Sequence, residues 1–165
     1  MTEPWLTGPI TGVDTLLAPL FYSFEQTRQE LEEHTAGLTA EQIWARPHGM
    51  TPIGFHIRHI GGTIDRLMTY MQGRMLSEQQ MAALKAELEP GASAEDLLNG
   101  MRQAMAACEA YVRTVGPATL RETRGVGRKQ LPTTVHGLLV HLCEHTFRHL
   151  GQAITTVKLI RAAEK

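Results

Sequence analysis

Apolar residues recur at steps of three and four along four long segments of this chain. In the first segment they are Leu16, Leu17, Leu20, Phe21, Phe24 and Leu31. The four segments cover approximately residues 15–34, 52–72, 93–115 and 133–162. This spacing is typical of amphipathic α-helices, whereas no stretch shows the sustained period of two of a β-strand. The pattern therefore predicts an all-α fold, a four-helix bundle.

Shorter elements are predicted in the connections between these helices. The sequence TAEQ, residues 39–42, is a capping box that opens a short helix, and Ser77 caps another one. Pro19 is expected in the first turn of the first helix, or as a kink in it. Residues 118–132 are polar and rich in glycine, which allows a short hairpin around Gly125–Gly127. A chain of 165 residues suffices for one domain, so we expect a single domain over 1–165.

Charge and composition exclude several classes of function. The 16 basic and 17 acidic residues give a net charge of −1, and they form no cluster of one sign that would favour nucleic acid as a partner. The chain opens without the features of a signal peptide and has no apolar run of about 20 residues, so we expect a cytoplasmic protein without a membrane partner. Cys108 and Cys143 lie in apolar segments, where buried reduced thiols are expected.

Six of the eight histidines fall on two of the predicted long helices: His56, His59, His136, His141, His145 and His149. At about 100° per residue, His145 and His149 lie within about 20° of Leu138 on the apolar stripe of the fourth helix. His141 lies about 60° away, at the polar edge of that stripe. His145 and His149 therefore point to the core one turn apart, where two imidazoles can share one metal ion.

The second long helix offers a third ligand, either His56 or His59, which are about 60° apart. His59 is favoured because Gly61 and Gly62 follow it, where a substrate or a neighbouring helix can approach closely. His56 would then support a ligand or line the pocket. Three neutral nitrogens suit zinc, nickel, iron(II) or copper, and three protein ligands leave one position open, as in catalytic sites. The alternative is a buried histidine cluster that binds no metal.

A different zinc motif overlaps the same stretch. HLCEH, residues 141–145, fits the H-x-x-E-H pattern of inverted zinc peptidases, with Glu144 as the base. That pattern needs a third ligand well downstream, and only twenty residues follow His145. No sheet is predicted that would frame a peptide substrate. The sequence therefore favours the site of His59, His145 and His149.

Two segments, TPIGFHIRHIGGTIDRLMTY and TTVHGLLVHLCEHTFRHLGQ, resemble the DinB/YfiT-like superfamily of bacterial metal-binding four-helix bundles. Carried over by position, the three metal-ligand histidines of that family fall on His59, His145 and His149. The resemblance implies one divalent metal ion, zinc, nickel or iron, and a homodimer. Better-studied relatives include thiol S-transferases, a thiol-dependent maleylpyruvate isomerase and the metal domain of a sulfoxide synthase. His56, just before the ligand His59, departs from the family pattern, and it would act either as a fourth ligand or as an acid–base group in the pocket.

These observations lead to two functional hypotheses. In the first, the chain is a metal-dependent transferase in which a low-molecular-weight thiol attacks an electrophilic substrate, or a hydrolase. His56, His141 and Arg148, together with Arg58, are the candidates for orienting substrate or moving protons, and the basic segment 121–130 is a candidate for binding the carboxylates of the thiol. In the second, the bundle is not catalytic, and the metal or the histidine cluster stabilises the fold or a dimer.

Overall fold

The computed structural model describes residues 2–163, which form seven α-helices and one small β-hairpin. The elements are α1 (Ala18–Thr35), α2 (Ala40–Trp44), α3 (Ile53–Met71), α4 (Glu78–Lys85), α5 (Ala94–Val112), α6 (Pro117–Leu120), β1 (Thr123–Val126), β2 (Leu131–Thr134) and α7 (Val135–Ala163). Single-turn 3₁₀ helices lie at Pro4–Leu6 and Pro47–Gly49. Across this described part, no helix combines the length and the apolar character that spanning a membrane requires.

Helices α1, α3, α5 and α7 form a four-helix bundle, which confirms the predicted fold class. Both α1 and α3 pack against α5 and against α7, so the helices follow one another around the bundle in the order α1, α5, α3, α7. Their apolar stripes meet in one core. Its fully buried side chains include Phe24, Leu31, Ile57, Ile60, Ile64, Met105 and Leu142. Burial of such side chains is the main source of the stability of the fold.

The helix starts follow the caps that the sequence contains. Thr39 and Ser77 each form a complete capping box, which confirms the two predicted short helices. Pro19 lies in the first turn of α1, where its missing N–H costs nothing. The Thr134 hydroxyl accepts a hydrogen bond from the Gly137 N–H at 3.0 Å, so Thr134 caps α7. Each such cap contributes about 1 kcal/mol.

The glycine-rich connection forms the expected hairpin, with Thr123 of β1 opposite Thr134 of β2. Its turn lies slightly later in the chain than the sequence suggested, because Gly125 is a strand residue that pairs with Pro132. Gly127 and Gln130 in the turn have φ angles of 68° and 49°. The left-handed conformation is easily adopted by glycine and explains why the chain reverses at that point.

The two glycines after His59 have different structural roles. A Cβ atom on Gly61 would lie 3.1 Å from the Cα atom of Met101, so this glycine lets α3 and α5 approach closely. A Cβ atom on Gly62 would lie 2.8 Å both from Nη1 of Arg66 and from Oε1 of Glu87. Gly61 therefore serves helix packing, and Gly62 leaves room for a pair of charged side chains.

Candidate metal centre

Three histidines meet between α3 and α7. His59 of α3 and His145 and His149 of α7 each offer one ring nitrogen within 4.8 Å of the other two. The Nε2 atoms of His59 and His145 are 3.3 Å apart. Two nitrogens bound at about 2.05 Å to one tetrahedral ion are also about 3.3 Å apart. The group could therefore hold a metal ion, and the spacing of this pair fits such an ion.

One ring nitrogen of His145 lacks a hydrogen-bond partner in the part of the chain that the structure describes. Its Nδ1 atom is buried and has no hydrogen-bond partner among residues 2–163. A buried polar atom without a partner costs about 1–3 kcal/mol. This unpaired Nδ1 atom therefore lowers the stability of the fold, while the Nε2 atom of the same ring faces His59.

The electrostatics of the cluster favour neutral imidazoles. The pKa of His145 and that of His149 are both lowered to about 4. Burial is the main cause in each case, and a positive charge on a neighbouring imidazole, such as His59, lowers the pKa further. Near neutral pH both side chains are therefore in the unprotonated form that binds metal ions.

A buried ion pair supports His59 from the side away from the cluster. Oε2 of Glu87 lies 2.6 Å from Nδ1 of His59, and Oε1 of Glu87 accepts a hydrogen bond of 2.7 Å from Arg66. Arg66 also donates to the Thr63 hydroxyl at 2.9 Å. Burial alone would raise the pKa of Glu87, but its bonds to His59 and Arg66 outweigh burial, so that the pKa is lowered. Glu87 is therefore an ionised carboxylate at 4% exposure.

Sequence reasoning missed Glu87, Arg66 and Thr63. One signal was present, because Arg66 lies seven residues after His59 and hence on the same face of α3. A charged residue on a buried helix face requires a partner of opposite charge. Glu87 itself lies in the connection between α4 and α5, where no periodic pattern marks it.

His56 contacts a member of the cluster and does not belong to it. It is 3% exposed, and its Nδ1 atom lies 3.0 Å from Nδ1 of His149. Burial, together with positive charge on His149 and His59, lowers its pKa to about 4. Phe55 stacks on the ring of His59 at a centroid distance of 5.0 Å. His56 thus lies behind His149 as a neutral hydrogen-bond partner.

His141 and Arg148 lie at the surface of α7, on either side of His145 in the chain. The ring of His141 is 5.4 Å from that of His145. Both His141 and Arg148 bond to Glu144, at 2.6 Å and 2.5 Å. The cluster joins His145 to His149 and His59 rather than to His141, and Glu144 faces the surface. This arrangement does not support the inverted peptidase motif.

Arg58, a further candidate for substrate binding, is already engaged in the structure. Its guanidinium donates hydrogen bonds to the carbonyl oxygens of Ala86, at 2.9 Å, and Glu89, at 2.6 Å, and lies 4.7 Å from the centre of the Trp44 ring. These contacts hold the segment after α4 against α3. The segment that they hold includes Glu87.

The basic segment 121–130 lies away from the cluster. Arg124 of this segment donates a hydrogen bond of 2.7 Å to the carbonyl oxygen of Met71, at the end of α3. Met71 is twelve residues from His59. Twelve residues of α-helix span about 18 Å. Arg124 thus binds at the end of α3 that lies away from His59.

A groove of about 600 Å³ lies between α3, α4 and α5. Its lining includes Arg58, Gly61, Gly62, Glu87, Leu97 and Met101. His59, His145 and His149 do not line this α4 groove, although Glu87 contacts both the groove and His59. Glu87 therefore lies between the α4 groove and the histidine cluster.

Comparison with known proteins places the chain in a family. A crystal structure of a conserved protein from Enterococcus faecalis superimposes with a TM-score of 0.74, over 91% of this chain and 99% of that chain, at 15% sequence identity. This likeness concerns the fold. No curated protein matches the sequence. The family model of the DinB superfamily matches residues 23–153, a range that contains the whole histidine cluster, and the chain therefore belongs to the DinB superfamily.

Proposed function

We propose that the chain binds one divalent metal ion through His59, His145 and His149 and acts as a metal-dependent enzyme. The observation that carries this proposal is the meeting of three ring nitrogens, within 4.8 Å of one another, from two facing helices. Facing helices are where bundles build their metal sites. Neutral imidazoles suit zinc, nickel or iron(II).

The ligand count supports a catalytic site over a closed structural one. Within the described part of the chain, no fourth histidine, cysteine or carboxylate joins the group. The two oxygens of Glu87 are taken by His59 and Arg66, and His56 bonds to His149. Catalytic zinc sites have three protein ligands and one position for water or substrate.

The reaction that fits best is transfer of a low-molecular-weight thiol to an electrophilic substrate, with hydrolysis as the second choice. A divalent ion in this site would lower the pKa of a thiol or of water. His141 and Arg148 orient the substrate, because they are exposed and lie one turn to either side of His145. His56 is buried and neutral, and its Nδ1 atom lies 3.0 Å from Nδ1 of His149.

A non-catalytic metal-binding bundle is the second candidate. One observation favours it: the α4 groove, with its volume of about 600 Å³, is not lined by the three histidines. In that case the ion would stabilise the fold or a dimer, and small anions would not reach it.

Metal analysis of the purified protein, followed by a screen of small thiols against electrophiles, tests the proposal. We expect about one divalent ion per chain and turnover of at least one thiol–electrophile pair. The cobalt-substituted protein separates the two candidates, since a small thiol should produce a new charge-transfer band. A cobalt spectrum that neither thiols nor azide change would favour the non-catalytic bundle. Protein without bound metal, even after incubation with zinc, cobalt or nickel, would contradict both.

A further inference from the structure

We propose that Glu87 is a positioning residue that fixes the tautomer of His59. It holds the ring proton on Nδ1 and so directs the lone pair of Nε2 toward His145 and His149. This inference rests on the proposed metal site, and it adds a residue from outside the four long helices to that site.

The contact distances define the tautomer. Oε1 of Glu87 accepts from the Arg66 guanidinium at 2.7 Å, and a carboxylate paired with a guanidinium only accepts hydrogen bonds, so the 2.6 Å contact of its Oε2 atom places the proton on Nδ1 of His59. Nε2 then carries the lone pair, and it is this atom that lies 3.3 Å from Nε2 of His145. Metal-binding histidines in proteins are commonly oriented by a carboxylate on their second nitrogen.

Arg66 keeps Glu87 in this position. Its 2.7 Å hydrogen bond occupies the second carboxylate oxygen, so Glu87 cannot turn into the cluster as a fourth ligand without leaving the buried guanidinium with no negatively charged partner. The close approach of both side chains to Gly62, where a Cβ atom would lie 2.8 Å from each, shows that the helix accommodates this pair. Gly62 of α3 thus leaves room for the pair of Arg66 and Glu87 that orients His59.

The substitution Glu87→Gln tests the inference because an amide has one accepting and one donating end. Arg66 has only donors, so the amide oxygen should face Arg66 and the NH₂ group should face His59. His59 must then accept at Nδ1, and its proton moves to Nε2, where it blocks metal binding. We expect the metal affinity to fall about 10–100-fold, as is typical when a group that orients a ligand is lost.

A second substitution distinguishes positioning from a general loss of structure. In the double variant Arg66→Met/Glu87→Gln, the Arg66 guanidinium no longer donates to the amide oxygen. The amide can therefore turn, and its oxygen can accept from Nδ1 of His59. We expect this variant to regain the wild-type tautomer and part of the lost affinity, although it has lost one more polar contact. Glu89→Gln is the matched control, because Glu89 is an exposed carboxylate in the same connection.

The measurements are the ¹⁵N NMR spectrum of the histidine rings in the metal-free protein and the zinc affinity by competition with a chelator. The wild type and Glu89→Gln should show the His59 proton on Nδ1, Glu87→Gln should show it on Nε2, and the double variant on Nδ1. A wild-type proton on Nε2, or a Glu87→Gln variant with unchanged tautomer and affinity, would overturn the inference. Failure of the wild type to bind zinc would instead refute the metal site, whatever the tautomer of His59.

Discussion

Replacement of His145 by alanine should abolish most metal binding and leave the fold of the metal-free protein intact. His145 supplies one of the three clustered nitrogens, and its Nε2 atom lies 3.3 Å from that of His59. The same imidazole has a buried Nδ1 atom without a partner among the described residues. The substitution therefore removes a ligand and also removes an unfavourable buried group.

The expected magnitudes follow from these two effects. The free energy of zinc binding to sites with four protein ligands is about 10–16 kcal/mol, which is about 2.5–4 kcal/mol per ligand when it is divided equally. Loss of one ligand should thus weaken zinc binding by roughly 10²–10³-fold, at about 1.4 kcal/mol per factor of ten. In the metal-free protein, relief of the unpaired nitrogen, about 1–3 kcal/mol, offsets much of the packing that is lost.

The assay compares His145→Ala with His136→Ala, which changes an exposed histidine on the same helix. Zinc affinity is measured by competition with a chelator, and unfolding of both metal-free variants by urea. His136→Ala should bind zinc as the wild type does, and the metal-free stabilities should differ by about 1 kcal/mol or less. A zinc affinity of His145→Ala within about tenfold of the wild-type value would contradict the role of His145 as a ligand.

Three further predictions concern the fold and its assembly. Gly61→Val should lower the free energy of unfolding by about 1–3 kcal/mol because the new side chain meets the backbone of Met101. In the control Gly100→Val, a Cβ would have no neighbour within 4 Å, so the free energy of unfolding should change by less than about 0.5 kcal/mol. Equal effects of the two substitutions would argue against close packing of α3 on α5. Burial raises the pKa of Cys108 to about 12 and also raises that of Cys143. Cys108 is buried and Cys143 is partly exposed, so Cys108 should react with Ellman's reagent at about pH 8 only after denaturation and Cys143 should react slowly in the native protein; fast labelling of two thiols in the native protein would contradict the burial of Cys108. We also expect a homodimer, from the likeness to the DinB superfamily, and light scattering that shows a monomer throughout the micromolar range would count against it.

The helices and the relative directions of side chains on one helix could be predicted from the sequence. Spacing of apolar residues located α1, α3, α5 and α7, because a buried helix face repeats every three to four residues. Within α7, the fixed angle per residue was enough to separate His145 and His149 from His141, and the structure places these side chains accordingly.

The contribution of other elements could not be predicted in the same way. Whether His56 or His59 joins the α7 histidines in one cluster depends on the rotation of α3 against α7, which is a tertiary property that one helix does not specify. Glu87 reaches His59 because α4 and the segment after it fold back onto α3, where Arg58 binds their carbonyl oxygens. No local pattern encodes such a long-range contact, and no spacing rule would have selected this carboxylate.

X-ray absorption spectroscopy of the zinc-loaded protein shows directly which atoms bind the ion. We expect three imidazole nitrogens at about 2.0–2.1 Å together with one light, non-protein donor. On addition of a small thiol, that donor should be replaced by one sulfur at about 2.3 Å. A spectrum with four imidazoles, which would add His56 to His59, His145 and His149, or one that thiols leave unchanged, would contradict an open three-histidine metal centre.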